Sequence, residues 1–239
     1  NYAVESAAVI DGLKNLTAFT LTGWVNCKNS TEGGGGNRII SWINGGGDGV
    51  DLVYRYDGSL QIGIDQWPDP SPAIRSANKI TTNAAAPAGN WVFFAVTYQS
   101  SNGQVQFYFG NNATDATLDV TRTYSRGAVG SNTGKLAIGH FNSATRSNAL
   151  SRMFRGLIDD IQIHGSALTL EEIILAQRGT VAVTGVSVTP SNMTLTSGQT
   201  GQLTPTITPQ NASNQDLTWT SSNTQVASVN GIGLVTAVS

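Results

Sequence analysis

Acid–base chemistry on a saccharide or an ester needs paired carboxylates, or a histidine held beside a nucleophile. This sequence is poor in both. Glutamate occurs only at Glu5, Glu32, Glu171 and Glu172. The last two stand where a helix opens, and the helix dipole accounts for them. Asp51 and Asp65 form the one plausible pair, because strand alternation puts them on the same face of a hairpin. The histidines are His140 and His164, and His164 reads as a structural residue at a strand end. No Ser-His-Asp elbow, phosphate loop or His/Cys metal spacing is present. Cys27 is the single cysteine, which excludes an internal disulfide and reads as a small buried hydrophobe.

Holding a sugar asks for less. Pyranose rings stack their C–H faces on Trp and Tyr, and their hydroxyls are read by Asp, Asn, Gln, Arg and His. Trp67 fits best, in a loop (QWPDPSP, residues 66–72) stiffened by three prolines. An indole held there costs little entropy to order, though the ring could equally fold back and cap the core. Asp51, Arg55, Tyr56, Asp65 and Arg75 are the expected neighbours. A second set, His140, Asn142 and Arg146 around Phe141, follows a later strand. If the two sets converge, they form a groove for an acidic or sulfated polysaccharide or oligosaccharide. Seven of the nine arginines lie between Arg38 and Arg152, and the guanidinium fork matches carboxylate and sulfate. Trp24 and Trp91 read as packing residues, Trp219 as part of a C-terminal core, and Trp42 is open.

The elements that must carry these residues are strands. Charged residues make up 12% of the chain against 39% hydrophobic, and Gly, Thr, Ser and Asn fill the difference. That composition suits short strands and tight turns better than helix or disorder. The net charge of −2 argues against nucleic acid as a partner. No apolar run reaches the roughly 18 residues of a membrane span, so no membrane insertion is expected. Strand patterns cover residues 19–25, 38–43, 50–54, 60–64, 91–98, 104–109, 136–139 and 157–163. A three-residue loop closing at Gly58 pairs Tyr54 with Leu60, Leu52 with Ile62 and Val50 with Ile64, leaving Asp51, Val53, Arg55, Gln61, Gly63 and Asp65 on the other face. The strand at 91–98 is apolar on both faces and belongs in the middle of a sheet between two layers. Residues 169–177 are the one helix pattern, with Thr169 and Glu172 spaced as a capping box. Beyond Thr184 there is no Arg, Lys or Glu, which places a linker at 179–183 between domains at 1–178 and 184–239.

The segments FTLTGWV (19–25), NWVFFAVTY (90–98), LAIG (136–139), FRGLIDDIQIH (154–164) and ALTLEEI (167–173) resemble, in order, the laminin-G-like or concanavalin A-like jelly-roll family. The segments VSVTP (186–190), LTPTI (203–207), LTWTSSN (217–223), VASV (226–229) and GLVTA (233–237) resemble the bacterial Ig-like group 2 module. The resemblance implies an all-β chain, a jelly-roll β-sandwich followed by a partial Ig-like domain. It also implies a secreted or cell-surface bacterial protein, a piece of a larger multidomain chain. Asn1 is not a natural start, and the usual opening strand of the family falls just before it. A structural calcium is common in that family; Asp159 matches its ligand position, and carbonyls near Gly45 and Gly47 could complete the cage. The scaffold also hosts glycoside hydrolases and alginate lyases, and Gln162-Ile163-His164 spells a lyase-like fragment without the other lyase motifs. The expectation is a non-catalytic carbohydrate-binding module of a polysaccharide-degrading enzyme. The alternatives are an adhesion or protein-interaction module and, third, a lyase or hydrolase.

Overall fold

The computed structural model describes residues 4–27, 37–45, 47–55, 57–68, 74–78, 91–141, 152–179, 183–210, 212 and 214–239. The chain divides after Gln177 into two units. The first contains β1 (Val4–Glu5), a single 3-10 turn (Asp11–Leu13), β2 (Ala18–Cys27), β3 (Asn37–Ser41), β4 (Val50–Tyr54), β5 (Leu60–Ile64), β6 (Val92–Gln99), β7 (Gln104–Asn111), β8 (Thr117–Thr123), β9 (Ala137–Ile138) and β10 (Gly156–His164), and closes on α1 (Leu170–Arg178). The strands form two five-stranded antiparallel sheets, ordered β1-β9-β3-β4-β5 and β10-β2-β6-β7-β8. Their inner faces bury one core, with Phe19 and Leu21 of β2 and Phe94, Val96 and Tyr98 of β6 facing Ile40, Leu52, Tyr54 and Ile62.

The β4–β5 hairpin pairs Val50 with Ile64, Leu52 with Ile62 and Tyr54 with Leu60. Gly58 has a left-handed φ of 86° and closes the turn, as the sequence requires. β6 is central in its sheet. Its second apolar face, Phe93 and Ala95, packs with Tyr108, Ala116 and Ile173 under α1. Trp24 joins that layer edge-on to Phe93 at 5.4 Å. Trp42, left open by the sequence, is fully buried against Phe19.

Thr169 and Glu172 form the expected capping box. The Glu172 N–H donates to Thr169 Oγ1 at 3.3 Å, and Glu172 Oε2 accepts from the Thr169 N–H at 2.8 Å. At the other end of the helix, buried Gln177 accepts from the Ala116 N–H at 2.6 Å and donates to the carbonyls of Asn111 and Thr114 at 2.9 Å. Cys27 lies inside the core, and burial pushes its thiol far above the ordinary range, so it behaves as a hydrophobe. β8 is a strand that the sequence pattern did not reveal. It is an edge strand of Thr, Asp and Arg whose Leu118 is exposed.

The second unit, Arg178–Ser239, has a two-stranded sheet of β11 (Gly185–Thr189) and β13 (Thr204–Thr208). It also has a three-stranded sheet ordered β12 (Thr200–Gln202), β15 (Leu234–Ala237), β14 (Ala227–Val229). Trp219 packs over Gly233 in this unit, where the sequence placed it.

Candidate functional site

The outer face of β3, β4 and β5 carries the first set of expected ligands. Alternation brings Arg38, opposite Val53, and Asp51, opposite Ser41, to that face. Arg38 Nε donates to both Asp51 oxygens at 3.2 and 3.0 Å, and Nη2 donates to Oδ2 at 2.8 Å. Both side chains are buried, at 5% and 0% exposure. A carboxylate taken into the interior needs such a fork to offset its lost hydration. This corrects the reading of Asp51 as a surface ligand: the register is right, but the charge is buried with a partner. Arg55 is also buried, against the expectation of an accessible cation.

Trp67 stands above this pair. Its ring lies edge-on to Phe141 at 5.1 Å and 82°. The Arg38 guanidinium carbon is 3.7 Å from the Phe141 centroid and 5.6 Å from that of Trp67. The loop reaches there because Gly63 has no side chain; a Cβ at that position would meet Pro68 N at 2.7 Å and Trp67 C at 2.9 Å. Thus residues 66–68 fold back over β5, and the indole is half-buried. The described members of the two expected sets meet through Phe141 in a packed aromatic–arginine cluster.

The remaining predicted residues are mostly committed. Asp65, with a left-handed φ of 52°, accepts from the Gly49 N–H at 2.8 Å and from the Gly130 N–H at 3.0 Å. With Asp51 tied to Arg38 and Asp65 tied to two backbone donors, these carboxylates are not arranged as a facing acid and base. Arg75 pairs with Asp57 at 3.4 Å. His140 is buried. Tyr56, Asn142 and Arg146 fall outside the described residues.

One residue at this rim escaped the sequence reading. Arg126 donates from Nε to Ile64 O at 3.1 Å and from Nη2 to Asp65 O at 3.2 Å, and it is exposed. Beside it, Gln66 Nε2 donates to Tyr124 Oη at 2.8 Å. The exposed Arg126 and the half-buried Gln66 and Trp67 are carried by two strands of chain about 60 residues apart in sequence. The concentration of arginine was visible in the sequence, but that long-range meeting left no local signal.

The expected calcium ligands are Asp159 and carbonyls near Gly45 and Gly47. Asp159 and Asp160 are exposed neighbours on β10. Among the described residues no three His, Cys, Asp or Glu side chains gather as a metal site. Asp159 borders a cleft that neither Gly45 nor Gly47 lines. The turn that holds those glycines is bonded to the 130–134 segment, through Asn44 Nδ2 to Asn132 O at 3.0 Å and the Asn132 N–H to Asp48 at 2.8 Å.

Two five-stranded antiparallel sheets enclosing one core, with the closing strand beside β2, define the architecture. A family model described as the concanavalin A-like lectin/glucanases superfamily matches residues 3–174. The chain belongs to that superfamily. Its lectin-type sandwich is followed by a bacterial Ig-like domain (group 2), matched over residues 182–239. An alpha-L-arabinofuranosidase of Bifidobacterium longum is 33% identical over 91 residues, 38% of this chain; the chain spans only 8% of that protein. Among solved structures, a leech intramolecular trans-sialidase in complex with 2,7-anhydro-Neu5Ac aligns with a TM-score of 0.50 and 16% identity, over 80% of this chain and 29% of that one. The CBM40 of a Ruminococcus gnavus IT-sialidase aligns with a TM-score of 0.46 and 14% identity, over 71% of this chain and 91% of that one. At these identities the structural likeness is one of fold.

Proposed function

We propose that this superfamily member is a non-catalytic carbohydrate-binding module that holds a larger, secreted or surface-borne bacterial polysaccharide-degrading protein on its substrate. The observation that carries the reading is the fixed rim of Trp67, Gln66 and Arg126. The indole is braced by Phe141 and keeps part of its surface outside, and a rigid aromatic at a polar edge suits a pyranose face. The local match to a protein named as an arabinofuranosidase supports a saccharide context.

Arg38 and Arg75 are paired with Asp51 and Asp57, so among the described residues beside Trp67 the exposed Arg126 is the cation that attracts an acidic or sulfated chain. The engagement of Asp51 and Asp65 supports binding without cleavage, since glycoside hydrolysis needs an acid and a base or nucleophile across the bond. The benefit to a parent enzyme is effective concentration.

Affinity electrophoresis in gels cast with neutral, uronic and sulfated polysaccharides tests the reading. Retardation by at least one acidic glycan is expected, abolished by Trp67→Ala and weakened by Arg126→Gln in a salt-dependent way. Thermal melts of each variant establish that the fold survives. No retardation by any glycan, or retardation untouched by both substitutions, overturns the proposal. New reducing ends during incubation overturn its non-catalytic part.

A further inference from the structure

The two long sides of the sandwich are finished differently. On the β5/β8 side, residues 74–78 run between the edge strands. Arg75 bridges antiparallel to Gln61. The Ser76 N–H donates to Leu60 O at 3.0 Å, and Ser76 Oγ accepts from the Leu60 N–H at 3.0 Å. Asp119 of β8 accepts from the Ala77 and Asn78 N–H groups at 2.6 and 3.0 Å. Ile74 is buried in the core by this arrangement. An extended segment thus closes that side by pairing with an edge strand and turning one apolar side chain inward.

The opposite side has no such closure among the described residues. There β10 pairs with β2 alone and β1 with β9 alone. Between these edges runs a cleft of about 490 Å³, walled by Val4, Ile138, Met153, Leu157, Ile158 and Ile161. Val4 is 60% exposed and Leu157 40%. Asp159 and Asp160 stand at its rim, on a bulge where the β10–β2 register shifts. Asp160 is left-handed there, with a φ of 46°. Asp159 Oδ1 accepts from the Asp160 N–H, and Asp160 Oδ1 from Gln162 Nε2. Among the described residues neither carboxylate has a cationic partner.

We propose that the β10 edge and this cleft accept an extended segment of another polypeptide as an added strand. Its alternate apolar side chains enter the cleft, and a Lys or Arg lies against Asp159 and Asp160. Strand addition draws affinity from main-chain hydrogen bonds and specificity from pockets for alternate side chains, and this edge supplies both. The residue 74–78 closure shows the same solution within the chain. Charge selects the source: two copies paired through the middle of β10 bring four carboxylates together, whereas a basic strand neutralises them. None of Trp67, Gln66 and Arg126 lines this cleft.

The test uses the whole 239-residue chain and fluorescein-labelled peptides that alternate Val or Ile with Thr, carrying either Lys or Glu at the centre. Fluorescence anisotropy is expected to show saturable binding of the Lys peptide, with new amide protection over residues 157–164 by hydrogen exchange. Asp159→Asn with Asp160→Asn, a pair that keeps size and tolerates the left-handed backbone, weakens binding on the order of tenfold. Trp67→Ala leaves it unchanged. Equal binding of the Lys and Glu peptides, or no binding and no protection over β10, overturns the proposal. Concentration-dependent dimerisation with protection of β10 in the absence of peptide overturns it in favour of a second copy.

Discussion

Arg38 holds both oxygens of Asp51 while its guanidinium carbon lies 3.7 Å from the centre of the Phe141 ring. One side chain thus neutralises a buried carboxylate and anchors the aromatic against which Trp67 leans. Removing the acid alone strands a buried cation. Asp51→Ala is expected to cost about 3–5 kcal/mol, read from urea unfolding midpoints. Arg38→Met combined with Asp51→Leu recovers most of that loss, because an apolar pair of similar volume needs no hydration. Equal destabilisation by the single and double variants would show that the pair contributes through shape and not charge.

Gly63 sets the seat of the Trp67 loop. A valine there drives into the backbone at residues 66–68. The expected cost is about 1–3 kcal/mol, seen as a lowered Tm. A red-shifted tryptophan emission and loss of polysaccharide retardation accompany it, although Trp67 itself is intact. Unchanged retardation would detach the rim from saccharide binding.

The capping box gives the domain a pH signature. Hydrogen bonds from the Thr169 backbone N–H and side-chain hydroxyl hold the Glu172 carboxyl below the ordinary carboxylate range. A depressed folded value means that the contribution is complete above the unfolded value and fades as pH falls through the folded one. Thr169→Ala is expected to lower Tm at neutral pH by roughly 2–4 °C. The gap between wild type and variant narrows in acid, leaving the part due to the Glu172 N–H bond to Thr169 Oγ1. A gap that is constant from neutral to acidic pH would remove Glu172 from the explanation.

Calcium at Asp159 is tested by the thermal midpoint, since an ion bound only by the folded chain raises it and EDTA reverses the rise. A calcium-dependent rise of several degrees that Asp159→Asn removes is the expected result, and an unchanged midpoint would remove the site.

Local pattern carried the strands well. The Val50–Ile64 register was readable because the apolar residues of two adjacent strands admit one alignment, and Gly58 permits its turn. Thr169 and Glu172 were readable because a cap is a three-residue event. What the sequence concealed is long-range. Asp51 reads as a solvent-facing charge until Arg38, on the neighbouring strand, is seen to take it inward. Trp67 meets Phe141 across 74 positions, and Arg126 reaches Asp65 across 61. β8 was missed for another reason: an edge strand with a solvated face needs little apolar patterning. The bacterial Ig-like domain was legible at the level of its motifs, since five short segments fall in order.

The Gln177 clamp fastens the end of α1 to the connection between β7 and β8. Its amide is fastened to three backbone groups of the 111–116 turn, one residue before the chain passes into the second unit. Unwinding the final helical turn therefore requires breaking these three hydrogen bonds to the β7–β8 connection as well as those within the helix.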